Sequence, residues 1–218
     1  CGRDMVLSLC TGPAVIEKAW HLRQNANMSM ITDDFWDDWE RLKAMFERCD
    51  VLQRQVSPGC WPDCDMLPIG KLRVSLDPKG ETSRFTKDEI ITMMTLWCIF
   101  RSPLIMGGDM RKNDKFALSI MRKKELLRLT TNSHDARQVR RNEDEAIWMS
   151  FDDDGSIYAA LFNLSEKSKD VAVGFDQLEI EGVHKIRDIW NEKDVGETGS
   201  GIKAKLNPHG AALFKITG

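Results

Sequence analysis

Four carboxylates, Asp33, Asp34, Asp37 and Asp38, sit between Phe35, Trp36 and Trp39 in the motif Asn27-Met-Ser-Met-Ile-Thr-Asp-Asp-Phe-Trp-Asp-Asp-Trp39. Carboxylates can move protons or attack carbon, provided that something rigid aims them. The apolar run 28–31 just ahead reads as a buried strand that releases an acid pair into a loop, with a helix behind. In a barrel of parallel strands, the loops after the strands form the active face. Asp33 and Asp34, directly at the strand end, are therefore the candidates for chemistry. The structural alternative is an acidic helix start with Thr32 or Asp33 as N-cap, and Asp37 and Asp38 are assigned to that role.

A second acidic pair, Asp63 and Asp65, falls in the Pro-punctuated segment Gly59-Cys-Trp-Pro-Asp-Cys-Asp-Met-Leu-Pro-Ile-Gly70. If the segment is extended, both acids point to one side. If it turns, they cap nearby backbone N–H groups. The two readings stand level. Gly107-Gly108, at the end of the apolar run 103–106, suits close backbone approach to a ligand. Cys60-x3-Cys64 lacks a second ligand pair, so no metal site is expected. The six cysteines all precede residue 100 and match no compact disulfide framework, which leaves free thiols as the expectation. No cofactor is expected.

The elements that would carry these groups alternate. Residues 5–9 read as a buried strand, 14–24 as a helix with Val15, Ala19 and Leu22 on one face, 28–31 as a strand and 34–49 as a helix. That rhythm means parallel strands with right-handed crossovers. Residues 70–83 read as an exposed loop. Thr86-Lys-Asp-Glu89 is a capping box, and the helix it opens, to about residue 100, is apolar almost all round and so expected to be buried. Residues 103–106 give a third short strand, and 115–129 a helix whose terminal Arg122, Lys123, Lys124 and Arg128 read as a solvated face. Beyond about residue 136 short strand-like runs take over (146–151, 156–162, 171–175, 186–190, 201–206 and 211–216), separated by turns such as Asp153-Asp-Gly155 and Asn207-Pro-His-Gly210. The expected fold is α/β plus all-β, divided into 1–135 and 136–218, the second part an antiparallel β-sandwich.

With 218 residues, a hydrophobic fraction of 42% and a net charge of −3, the chain can build a real core and offers no electrostatic reason for nucleic acid or an anionic membrane as partner. No apolar run approaches the length of a membrane span. Most of the seven tryptophans are assigned to packing. Opening on Cys1-Gly-Arg-Asp, about one residue ahead of an apolar run, the chain is expected to be part of something longer, so localisation is not read from it.

These segments resemble the C-terminal part of glycoside hydrolase family 27, the α-galactosidase and α-N-acetylgalactosaminidase family. The likeness runs in order through Val6-Leu-Ser8 with Gly12-Pro-Ala14, residues 21–39, residues 59–70, Arg84-Phe-Thr-Lys-Asp-Glu89, Thr95-Leu-Trp97, Arg101-Ser-Pro-Leu104 and Gly107-Gly-Asp109. In the sandwich it continues through Tyr158-Ala-Ala-Leu-Phe-Asn163, Arg187-Asp-Ile-Trp190 and His209-Gly-Ala-Ala-Leu213. What it implies is the C-terminal half of a (β/α)8 barrel, strands five to eight with their helices, followed by the sandwich. It further implies retaining hydrolysis of terminal α-linked galactosyl or N-acetylgalactosaminyl groups by two aspartates about 5–5.5 Å apart. The acid/base falls on Asp34. Cys10, Thr11, Met30 and Asp33 fall at positions that bind substrate, and Asp63 and Asp65 behind them.

The family's nucleophile belongs to an earlier strand in a Lys-x-Asp segment, so this chain would supply the acid/base and not the nucleophile. Where the family normally carries Trp-Arg, the chain has Ser29-Met30. The loop Cys10-Thr-Gly-Pro-Ala14 carries no Glu, which tilts towards a larger 2-substituent. The implied partners are an α-galactoside-type carbohydrate and either a second copy or an upstream barrel half. The alternative is an inactive fragment or a carbohydrate-binding or scaffold remnant of the same family.

Overall fold

The first strand, β1 (Ser8–Leu9), pairs in parallel with β2 (Met28–Met30), and β2 pairs in parallel with β3 (Trp61–Asp63), in the order β1-β2-β3. The computed structural model describes residues 2–12 and 15–218. Pro13 and Ala14, which the sequence reading placed in a turn and at a helix start, lie outside the described residues. Parallel strands need a crossover of a dozen residues or more. Here the first is a 3-10 turn (Ile16–Lys18) leading into α1 (Ala19–Asn25), and the second is α2 (Trp39–Leu52). A further parallel bridge, Leu67 to Met106, is all that the expected strand at 103–106 contributes.

Residues 5–9 are not the buried strand expected of them. β1 is short, and Met5, Val6 and Leu7 are exposed. β1 pairs only with β2 among the described residues, so its outer edge has no cover there. The 70–83 segment also differs from an exposed loop. It holds a hairpin, β4 (Lys71–Leu72) with β5 (Glu81–Thr82), in which Leu72 is wholly buried. The glycine pair serves the chain itself: a Cβ on Gly107 would overlap the Met66 side chain, and one on Gly108 would overlap the Ile69 carbonyl. Close approach is what these positions need, and the partner is the chain's own 66–69 segment rather than a ligand.

The capping box forms as written: Glu89 accepts from the Thr86 N–H at 2.7 Å, and Thr86 Oγ1 accepts from the Glu89 N–H at 3.2 Å. It opens α3 (Lys87–Phe100), whose side chains are buried on nearly every face. The following helix splits into α4 (Lys115–Met121) and α5 (Lys124–Asn132).

Eight strands follow: β6 (Ser133–Arg141), β7 (Glu145–Asp152), β8 (Ile157–Asn163), β9 (Lys169–Gly174), β10 (His184–Asp188), β11 (Lys193–Thr198), β12 (Gly201–Leu206) and β13 (Ala211–Thr217). Six form one antiparallel sheet, β11-β10-β13-β8-β7-β6, and β12-β9 form a second. Alternation fixes the faces. Ile147, Met149, Ile157, Ala159 and Leu161 join Val171, Val173 and Ile202 in the core between the sheets. The opposite face of β7 and β8 is equally dry, and there Trp148 meets Phe100 of α3 edge to face at 6.2 Å. That leaves β8 buried at all seven positions.

The architecture is thus part of a (β/α)8 barrel followed by a β-sandwich. Division at residue 135 follows chain order, whereas contact in space groups residues 1–84 with 101–120 and residues 85–100 with 121–218. No helix among the described residues is long and apolar enough to cross a membrane.

Candidate active site

Backbone hydrogen bonds deliver the acidic loop to one place. Ile31 extends the β2–β3 ladder by donating its N–H to the Asp63 carbonyl at 2.9 Å, and Arg48 Nη1 of α2 donates to the Ile31 carbonyl at 3.1 Å. Three residues on, Arg41 Nη1 donates to the Asp34 carbonyl at 2.6 Å, and the Phe35 N–H donates to Asp65 Oδ2 at 2.7 Å. Phe35 is buried beside this anchor. Asp38 ends the loop as the N-cap of α2, accepting from the Arg41 N–H at 3.0 Å. The helix therefore starts at Trp39 rather than at Asp34, and neither Thr32 nor Asp33 caps it.

Asp37 is more than a helix-start acid. It is 3% exposed, accepts from Arg73 Nη2 at 3.0 Å and from the Arg84 N–H at 2.7 Å, and so ties the loop to the 71–84 segment. Arg73 also lies over the Trp36 ring, 4.4 Å from its centroid, and reaches Glu81 at 3.2 Å. A buried carboxylate needs such partners.

With Asp37 and Asp38 committed, Asp33 and Asp34 are the exposed pair. Among the described residues neither carboxylate has a hydrogen bond or ion pair. Both line a cleft of about 430 Å³, together with Cys10, Gly12, Met30, Thr32 and Arg41. Gly12 has a φ of 67°, which favours glycine, and a Cβ there would stand 3.0 Å from Asp33 Oδ1, so the loop after β1 comes close to Asp33. Thr11 lies between two lining residues without lining the cleft itself. Met30 is buried and presents an apolar wall.

Asp63 and Asp65 do not line the cleft. Asp65 has a φ of 72°, so the segment, extended through Asp63 as β3, turns there rather than running on. Instead Asp63 Oδ1 accepts the Asp65 N–H at 2.9 Å, in an Asx-type turn that aims Asp65 at Phe35. Burial pushes the Asp63 carboxyl above the usual carboxylate range, the Asp65 N–H opposes this, and the Asp65 charge adds to it.

The cleft can present the side chains of two aspartates and a guanidinium to a polar ligand. No group of three or more His, Cys, Asp or Glu able to hold a metal occurs among the described residues. The sequence reading missed Arg41, Gly12 and Thr32. Arg41 carried a faint signal: a cation in the first turn of a helix opposes the helix dipole, so it needs another reason to be there.

Residues 1–132 match the family model described as alpha galactosidase A, and residues 142–216 match that of the alpha galactosidase C-terminal beta sandwich domain. Among solved structures, a GH27 β-L-arabinopyranosidase from Geobacillus stearothermophilus is 44% identical, with a TM-score of 0.96, over 100% of this chain and 51% of that one. A variant of the same enzyme has been solved in complex with arabinose. Alpha-galactosidase I from Mortierella vinacea is 19% identical with a TM-score of 0.85, over 99% of this chain and 59% of that one, and shows likeness of fold. Among curated proteins, Alpha-galactosidase 2 from Arabidopsis thaliana is 21% identical over 99% of this chain and 52% of its own length. The chain spans about half or less of the curated relatives it matches first.

Proposed function

Since the chain belongs to glycoside hydrolase family 27, the family of α-galactosidase A, we propose that it supplies the general acid/base of a retaining glycosidase. The observation that carries this is the isolation of Asp33 and Asp34. Every other acid of the loop is spent on backbone or on a cation, while these two face the cleft unpartnered. Asp34 is the proton donor. It protonates the leaving oxygen as the bond to the anomeric carbon breaks, then takes a proton from water as the glycosyl-enzyme is hydrolysed. The nucleophile, about 5–5.5 Å away in a retaining site, comes from the other half of the barrel. Asp33 and Cys10 face the sugar hydroxyls, Gly12 lets the loop after β1 approach them, and Met30 supplies an apolar wall.

The substrate class is a terminal pyranoside of galactose configuration. β-L-Arabinopyranose has the ring and anomeric stereochemistry of α-D-galactopyranose without the hydroxymethyl carbon, so one site geometry serves both. The 44% identity to a β-L-arabinopyranosidase makes the β-L-arabinopyranosyl group the first choice of glycone. The test is initial-rate kinetics of the natural protein that carries this segment on p-nitrophenyl β-L-arabinopyranoside, α-D-galactopyranoside and N-acetyl-α-D-galactosaminide. The expected order of kcat/KM is the order given, with turnover lowered by about 100-fold or more in Asp34→Asn. Turnover undiminished in Asp34→Asn overturns the assignment.

A further inference from the structure

The carbonyl of Asp34 and the N–H of Phe35 belong to one peptide unit, and a charged side chain holds it at each end. Arg41 donates to the oxygen at 2.6 Å, and Asp65 accepts from the nitrogen at 2.7 Å. Both bonds are charge-assisted and therefore among the stronger ones a protein makes. Each jaw is itself held. Arg41 sits in the first turn of α2, where its own N–H is capped by Asp38, and Asp65 is turned into place by Asp63. A peptide plane fixed at both ends fixes the Asp34 Cα and its Cα–C axis, leaving rotation about that one bond, and the side chain's own torsions, to aim the carboxyl.

We propose that Arg41 and Asp65 are the positioning residues of the acid/base, gripping the Asp34–Phe35 peptide so that the carboxyl stays aimed into the cleft. The proposal rests on Asp34 being that acid/base. It explains why a cation occupies the first turn of α2, and why Asp65 adopts a positive φ: each accepts a local cost to reach the same peptide. Arg41 also brings a guanidinium to the cleft wall that Met30 leaves uncharged.

Misplaced proton donors are felt most where the leaving group most needs a proton. The experiment compares methyl and p-nitrophenyl β-L-arabinopyranosides in the natural protein, using Arg41→Ala, Asp65→Ala and Asp34→Ala. Asp65→Asn, which keeps an acceptor oxygen, and Arg41→Lys, which keeps a donor, are the rescue variants. The two alanine variants at the grip are expected to lose about 10- to 100-fold in kcat/KM on the methyl glycoside, the scale of a small misplacement of a catalytic group. They should lose several-fold less on the p-nitrophenyl glycoside, and both rescue variants should recover part of the difference. Amide exchange at Phe35 should accelerate by about 10-fold or more in Asp65→Ala while the amides of α3 stay protected.

Equal losses on the two substrates, or unchanged Phe35 exchange, overturn the grip. If Asp34→Ala shows the leaving-group dependence and the grip variants do not, only this inference fails. If Asp34→Ala shows none, or the wild-type protein cleaves neither these glycosides nor the corresponding α-D-galactopyranosides and N-acetyl-α-D-galactosaminides, the acid/base assignment fails and this inference with it. Arg41 is exposed, so its variants remain informative should Asp65→Ala not fold.

Discussion

Each of the two units keeps an aspartate near a guanidinium, and to opposite ends. In the sandwich unit Asp152 is 2% exposed. It is held bidentately by Arg128 at 2.7 and 2.8 Å, accepts from the Tyr158 hydroxyl at 2.7 Å and lies 3.5 Å from Lys215. Those donors hold its carboxyl well below the usual carboxylate range. In the barrel unit Arg41 stands beside Asp34 yet spends a donor on its backbone carbonyl, leaving the carboxylate bare. A carboxylate that must give up and regain a proton cannot be locked in a salt bridge, whereas one that only stabilises gains from it. The units also differ at their edges. The sandwich ends in polar, charged strands, β11 and β6, while the barrel sheet ends in β1 with Met5, Val6 and Leu7 exposed.

The largest effect that sharpens the contrast is on rate. Asp34→Asn should lower kcat/KM by on the order of 10²- to 10⁴-fold, the usual worth of a positioned proton donor, and leave the melting temperature within a degree or two because an exposed carboxylate is removed. Rates and melts on the same preparation check this, and a large loss of stability would break the comparison. Next comes Asp152→Ala, which strips Arg128, Tyr158 and Lys215 of their shared acceptor. It should cost about 3 kcal/mol in urea unfolding with turnover per folded molecule unchanged. Somewhat smaller is Arg73→Met, which leaves Asp37 with the Arg84 N–H as its main donor and should cost about 2–3 kcal/mol. It shows that an acid of the cleft loop can be structural too.

The pH dependence should run in opposite directions. Asp152 is depressed in the fold, so its stabilisation is fully present above the unfolded value of about 3.9 and is lost as pH falls through the folded value. Asp63 is raised, so its protonated form favours the fold at low pH, and that contribution fades as pH climbs through the raised value. Acid unfolding of Asp152→Asn should therefore be less steep than wild type, and Asp63→Asn should flatten the stability profile in the weakly acidic range. Smallest is the edge effect. The chain on its own should self-associate through β1, and Val6→Lys should reduce the apparent mass in light scattering.

Much of this was legible where local chemistry repeats itself. The Thr86–Glu89 box and the all-round apolar α3 could be read directly, and so could six of the sandwich strands, because those bury apolar side chains on one face or on both. The two missed strands, β6 and β11, are the two edges of the six-stranded sheet. Edge strands carry charge to discourage pairing, which makes them read as loops. The basic run at 122–128 read as solvated, yet Lys123 binds the Trp190 carbonyl and Glu192, and Arg128 binds Asp152. Their acceptors lie tens of residues away, and no local pattern announces such a partner. The same holds at the cleft. Asp34 was visible from its neighbours, but the fates of Asp37, Asp63 and Asp65 depended on Arg73, on a positive φ and on the peptide of Phe35.

Glu89 caps α3 and also accepts the ring of His209 at 2.8 Å, 120 residues further along the chain. At about 5–20 residues per second of synthesis, α3 emerges on the order of ten seconds before the strand that follows His209. Until β7, β8 and finally β13 have been made, Met93, Leu96, Trp97 and Ile99, all fully buried in the finished protein, lack part of their final cover. Premature collapse onto the barrel residues already made, or capture by a holding chaperone, is the hazard this order of synthesis creates.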